Sequence, residues 1–162
     1  IVVPHEPTPA RLGEIDRALA REGLSYTLLS TIGDDVSIET PVVIADGIGY
    51  LAELYRVGFC AYVGGSFTTG VHNVMEPAVL GLPVFFGPRI DNSYEARRLV
   101  ELETGRIVKT ARQFEEEVGM LFSDRTLREE RARTGSRFIR DHCGAADRCV
   151  DAIEKHLKLS GR

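Results

Sequence analysis

The chain has 162 residues, 43% of them hydrophobic, enough to bury the core of one ordinary domain and too apolar for disorder. Its 24 acidic and 20 basic residues leave a net charge of -4, which excludes a general attraction to nucleic acid and means that any anion must be bound locally. No run approaches the roughly 18 apolar residues of a membrane span. Three cysteines, Cys60, Cys143 and Cys149, lack metal-ligand spacing and read as reduced structural thiols, which favours a cytosolic setting.

The chain opens without Met inside an apolar run, "IVVPHEP", expected to be the second half of a buried strand in a fragment of a longer protein. In "TPARLGEIDRALAREG", Thr8 is the predicted N-cap and Pro9 the first helical residue; Leu12, Ile15 and Leu19 form the apolar stripe and Gly23 is the stop. "SYTLL" (25–29) and "PVVIAD" (41–46) read as strands, with a surface loop, "STIGDDVSIET", between them. A short helix is predicted in 47–58, then a buried strand "FCAYV" (59–63).

After a loop comes a short helix ending at Gly81, a strand "LPVFFG" (82–87), a helix from Asn92 or Ser93 to about Glu103, and a short strand "RIV". Thr110 and Gln113 suggest a capping box. From about residue 111 the text is helical, with breaks expected near Gly135 and Gly144 and a short flexible end from 158 to 162. Arginines 125, 128, 131, 133, 137 and 140 are interleaved with Asp124, Glu129, Glu130 and Asp141, so they read as a solvated helix face. Strands alternating with helices predict an α/β fold, a Rossmann-like doubly wound parallel sheet with a helical C-terminal tail.

In such a sheet, ligands bind beyond the carboxyl ends of the strands. That rule selects His5, Asp46, Gly47, Gly49, the loop "GGSFTTGVHNVMEP" and Pro88. Gly64 and Gly65 permit positive φ and close approach of a ligand, and their amides with the Ser66 hydroxyl suit an anion. The helix starting near Val74 adds free N–H groups and a positive dipole end. The loop is neither a Walker P-loop nor a dinucleotide fingerprint, and a glycine pair also serves a plain tight turn. Glu76, before Pro77, belongs at the helix edge, where it either accepts from two vicinal hydroxyls or closes a cap with Asn73. His72 is a donor for a phosphate or carboxylate, or a scaffold residue; no spacing suggests a metal site.

Taken in order, these residues resemble a family. Asp46, Gly49 and Leu51 match an Asp-x-x-Gly-x-Leu segment. Gly64, Gly65 and Ser66 match Gly-Gly-Ser; Gly70, His72, Asn73, Glu76 and Pro77 match Gly-x-His-Asn-x-x-Glu-Pro; and Gly81, Pro83, Val84, Phe86, Gly87 and Pro88 match the strand that follows. This is the pattern of the carboxyl-terminal, donor-binding domain of 3-deoxy-D-manno-octulosonic acid (Kdo) transferases, GT-B glycosyltransferases of lipid A and lipopolysaccharide assembly. The likeness extends upstream to "VVPHEPT", with His5 as the match, and downstream to the last helices. Glu6 and Pro7 stand where the family has Pro and Glu, and Val71 where many members have a second Gly.

The resemblance implies transfer of Kdo from CMP-Kdo to a lipid A precursor, with inversion and without cofactor or metal, at the cytoplasmic face of the bacterial inner membrane. Gly64, Gly65, Ser66 and the helix amides would hold the phosphate, Glu76 the ribose, and Asp46, Gly47, Ile48, Gly49 and Leu51 would flank the cytosine. His72 and Asn73 would order the loop or reach the Kdo carboxylate. The general base, the acceptor site and the membrane contact would lie in an amino-terminal domain outside this chain, which is also expected to lack the first strand of the donor-binding domain. This chain alone is then expected to turn nothing over. The competing expectations are a GT-B domain for a UDP-sugar and a non-catalytic nucleotide-binding module.

Overall fold

A computed structural model describes residues 1–33 and 37–160; part of the expected 30–40 loop and the last two residues of the expected flexible end lie outside the described residues. The chain divides into two compact units, Ile1–Val57 and Gly58–Arg162.

In the first unit, α1 (Pro9–Arg21) starts as its sequence dictates. The Thr8 hydroxyl accepts from the Arg11 N–H at 3.3 Å, and Pro9 sits where a missing N–H costs nothing. Strand β1 (Tyr26–Leu28) pairs in parallel with β2 (Val42–Ile44), Tyr26 opposite Val42 and Leu28 opposite Ile44. The expected strand at 1–3 shrinks to one parallel bridge, Val2 to Ile44, fixed by Val2 N–H to the Val43 carbonyl (2.8 Å) and Ala45 N–H to the Val2 carbonyl (2.9 Å). A short helix, α2 (Leu51–Arg56), follows β2.

The second unit is built on β3 (Ala61–Val63), β4 (Val84–Phe86) and β5 (Gly105–Ile107), paired in parallel in that order. Helices α3 (Met75–Val79) and α4 (Tyr94–Glu101) make the crossovers. Then come α5 (Ala111–Ser123), α6 (Arg125–Asp141) and α7 (Ala145–Ser160). All three residues of β4 are buried, as a central parallel strand requires. Val84 and Phe86 join Val63, Val74, Leu99, Phe138 and Ile139 in one cluster; Phe85 joins Val108 and Leu121, with Phe59, Cys60 and Phe114 packed around them. Each fully buried phenylalanine contributes about 2–3 kcal/mol. Burial also pushes the Cys60 thiol up from its ordinary range, in keeping with a structural thiol; all three cysteines are free.

Three expectations for the helical tail are corrected. Gly135 does not break a helix. It lies buried inside α6 against Thr104, whose hydroxyl an added Cβ would meet at an ordinary 3.4 Å. The break falls instead at Asp124, whose carboxylate accepts from the Leu127 N–H at 2.9 Å and caps α6. Gly144, at φ +84, does separate α6 from α7.

Nor are the α6 arginines all solvated. Arg131 is buried and donates to Glu117 at 3.1 Å; Glu117 also accepts two bonds from Arg106, at 2.8 and 2.9 Å. Burial acts to raise the Glu117 carboxyl, but the two guanidiniums hold it below the usual carboxylate range. The expected capping box at α5 is displaced. The Thr110 hydroxyl accepts from Gln113 N–H at 3.2 Å, while the Gln113 side chain accepts from Lys109 N–H, one residue earlier than the pattern places it. No helix among the described residues is long and apolar enough to cross a membrane.

Candidate functional site

In the second unit, the loop leaving β3 curls on a single carbonyl. The Gly65 oxygen accepts from the N–H groups of Thr68 (2.9 Å), Thr69 (3.1 Å) and Gly70 (3.2 Å). This turn needs Gly65 at φ +87: a Cβ there would lie 2.3 Å from the Gly70 carbonyl oxygen and 2.6 Å from the His72 ring. Gly64 differs. It is exposed, outside the positive-φ set, and an added Cβ would meet no atom within 4 Å. One glycine of the pair makes the turn, and the other leaves space open to solvent.

The loop is bound to the exit of β4. Ser66 is fully buried, and its Oγ accepts from the Gly87 N–H at 2.6 Å. That corrects the expectation of a hydroxyl facing an anion: in this structure the Ser66 side chain points inward and joins two loops. The Arg89 N–H donates to the Ser66 carbonyl (2.9 Å), Val71 N–H to the Arg89 carbonyl (3.0 Å), and the Arg89 guanidinium to the Thr68 carbonyl. Asn92 closes the arrangement by accepting from Val71 N–H at 3.1 Å and donating to the Val71 carbonyl at 2.9 Å. Its amide occupies the space a side chain at Gly70, at φ +125, would need. Asn92 stands at the expected helix start, but Ser93 is the cap of α4, and the Asn92 contact lies 21 residues away, beyond any local pattern.

At the start of α3, Asn73 Oδ1 accepts from the Met75 N–H at 2.9 Å, and Asn73 Nδ2 donates to Glu76 Oε1 at 3.0 Å. So Asn73 satisfies the first-turn amide, and Glu76 is held by the side chain of Asn73 rather than folding back onto backbone. A carboxylate has about four lone-pair sites, so one such bond orients Glu76 and leaves capacity for hydroxyl donors. The helix itself has only five residues, which weakens the dipole expected of it. His72, Asn73, Glu76 and Pro88 are exposed, Gly65 half-buried and Gly70 buried.

The first-unit residues are described separately. Asp46, at the end of β2, accepts from both the N–H and the hydroxyl of Ser30, which hold its carboxyl below the usual range. It ties that strand end to the turn at Leu29–Thr31. Gly47 makes room for the Tyr50 ring, 2.9 Å from where a Cβ would stand, and Gly49 takes φ +93. Ile48 is 82% exposed, Leu51 37%, and His5 is exposed as well.

No family model matches the chain. Its fold is that of an α/β domain seen in a crystal structure described as the C-terminal CMP-Kdo binding domain of WaaA from Acinetobacter baumannii. The TM-score is 0.73 at 24% identity, over 85% of this chain and 72% of that one. In sequence, the chain is related to the 3-deoxy-D-manno-octulosonic acid transferases. It is 32% identical to the enzyme of Chlamydia pneumoniae over 90% of its own length and 34% of the relative's, and 29% identical to that of Haemophilus influenzae over 98% and 37%. A shorter match, 40% identical over 68 residues, is to the enzyme of Aquifex aeolicus. The chain thus spans about a third of the length of the first two of these relatives.

Proposed function

We propose that this chain is the donor-binding part of a glycosyltransferase that moves Kdo from CMP-Kdo onto a lipid A precursor. The observation that carries the reading is the sequence relationship to Kdo transferases along nine-tenths of the chain. The loop geometry at the carboxyl ends of β3 and β4 suits it. The open space at Gly64 admits a phosphate against the backbone, and Glu76, oriented by Asn73, accepts from a ribose diol. His72 and Asn73 stand on the same exposed rim. Ser66, Arg89 and Asn92 act through the loop, holding it in shape before the donor arrives. On the first unit, exposed Ile48 and Leu51 offer apolar surface suited to a pyrimidine.

In the displacement, the departing CMP gains negative charge, and preset N–H donors stabilise that charge without reorganising. The attacking hydroxyl needs a general base. The proposal puts that base, the acceptor and the membrane contact in the part of the relatives' length that this chain does not span. Turnover therefore belongs to the full-length protein, at the cytoplasmic face of the inner membrane.

The test is Glu76→Ala in the full-length protein. Losing hydrogen bonds to a charged group raises KM for CMP-Kdo by roughly 10- to 100-fold. Unchanged kinetics would remove Glu76 from the donor site.

A further inference from the structure

The loops after β3 and β4 share a single guanidinium. Between Arg56 and Arg97 the sequence has no Lys or Arg except Arg89, which stands just beyond the carboxyl end of β4. Its backbone is built into the β3 loop from both sides: the N–H donates to the Ser66 carbonyl at 2.9 Å, and the carbonyl accepts from the Val71 N–H at 3.0 Å. The residue is exposed, and its guanidinium turns onto the same loop to donate to the Thr68 carbonyl. That partner is neutral, and Arg89 forms no ion pair among the described residues, with Asp91 or any other carboxylate. A guanidinium has five N–H donors, so one bond to a carbonyl fixes its place and leaves donors for an incoming anion.

We infer that Arg89 holds the carboxylate of the donor sugar and so selects an acidic sugar over a neutral one. The inference rests on the donor reading above. Kdo is a 2-ulosonic acid, whose anomeric carbon carries the carboxylate as well as the bond to phosphate. A phosphate at the Gly64 opening therefore brings the carboxylate to the loop that Arg89 spans. Asn73 suits that anion less: its Oδ1 accepts from the Met75 N–H, and its Nδ2 donates to Glu76. A neutral sugar would leave the arginine without its partner and forgo a charge-assisted, bidentate pair.

The experiment measures KM for CMP-Kdo and the dissociation constant of CMP on the full-length protein, as wild type, Arg89→Gln and Arg89→Lys. Glutamine keeps an N–H for the Thr68 carbonyl and removes the charge; lysine keeps the charge and removes the fork. CMP has the phosphate and no carboxylate, so it separates the two anions. Arg89→Gln should raise KM for CMP-Kdo roughly 10- to 100-fold and leave CMP affinity within about twofold of wild type, with Arg89→Lys intermediate in KM. Equal losses for CMP and CMP-Kdo would assign the arginine to the phosphate or to the shape of the loop and overturn the inference, as would an unchanged KM. In either case a wild type that binds CMP and turns over CMP-Kdo keeps the donor reading intact. A wild type that does neither ends the donor reading, and this inference with it.

Discussion

The adjacent glycines of the β3 loop give opposite predictions when each is changed to alanine. At Gly65, the backbone is at φ +87, which costs an alanine roughly 1–2 kcal/mol, and its Cβ would lie 2.3 Å from the Gly70 carbonyl oxygen. Backbone must move to relieve that contact, so Gly65→Ala loses about 3 kcal/mol or more, a fall in Tm of roughly 6–12 °C at this chain length. The His72 ring, 2.6 Å from the same Cβ, is displaced with it. At Gly64, φ is unrestricting and the Cβ meets nothing within 4 Å, so Gly64→Ala leaves Tm within about 1 °C. If a phosphate approaches through that opening, the methyl group stands in its way and CMP affinity falls at least about tenfold. Differential scanning calorimetry and titration calorimetry on both variants read the two effects. A Gly64→Ala protein that binds CMP like wild type would close that opening as a phosphate path, and a Gly65→Ala protein of unchanged Tm would deny the turn its need for glycine.

Ser66→Ala removes the acceptor of the buried Gly87 N–H, costing about 1–3 kcal/mol; thermal unfolding should show a drop of a few degrees, and an unchanged Tm would deny the hydroxyl its joining role. Glu117→Gln leaves Arg131 buried beside a neutral amide. Stability at neutral pH falls by about 3 kcal/mol, moderated because Arg106 is partly exposed. Since the folded Glu117 carboxyl is held below its unfolded value, its stabilisation is present above the ordinary carboxylate range and is lost as pH falls through the folded value. The variant's denaturant midpoint should therefore vary less than wild type's below about pH 4.3, the ordinary Glu value. Parallel profiles for the two proteins would contradict this.

Most of the element order was legible because each element carries its own signals. Thr8 and Pro9 start α1, and the apolar run of β4 is buried on both faces. The misreadings came from residues whose role depends on distant partners. Gly135 looks like a break until Thr104 is placed beside it, and Arg131 looks like one more surface arginine until Glu117 arrives from α5. At the candidate site, His72, Asn73 and Glu76 were expected on an exposed rim after a strand, and they are exposed there. Ser66 was given the wrong direction, because the N–H that claims its hydroxyl is 21 residues ahead, and Asn92 was missed for the same reason.

The most direct measurement is titration calorimetry of the full-length protein with CMP and with UDP under identical conditions. CMP should bind at least about tenfold more tightly, a difference of about 1.4 kcal/mol. UDP binding as tight as CMP, or tighter, would contradict the assignment of this domain to CMP-Kdo.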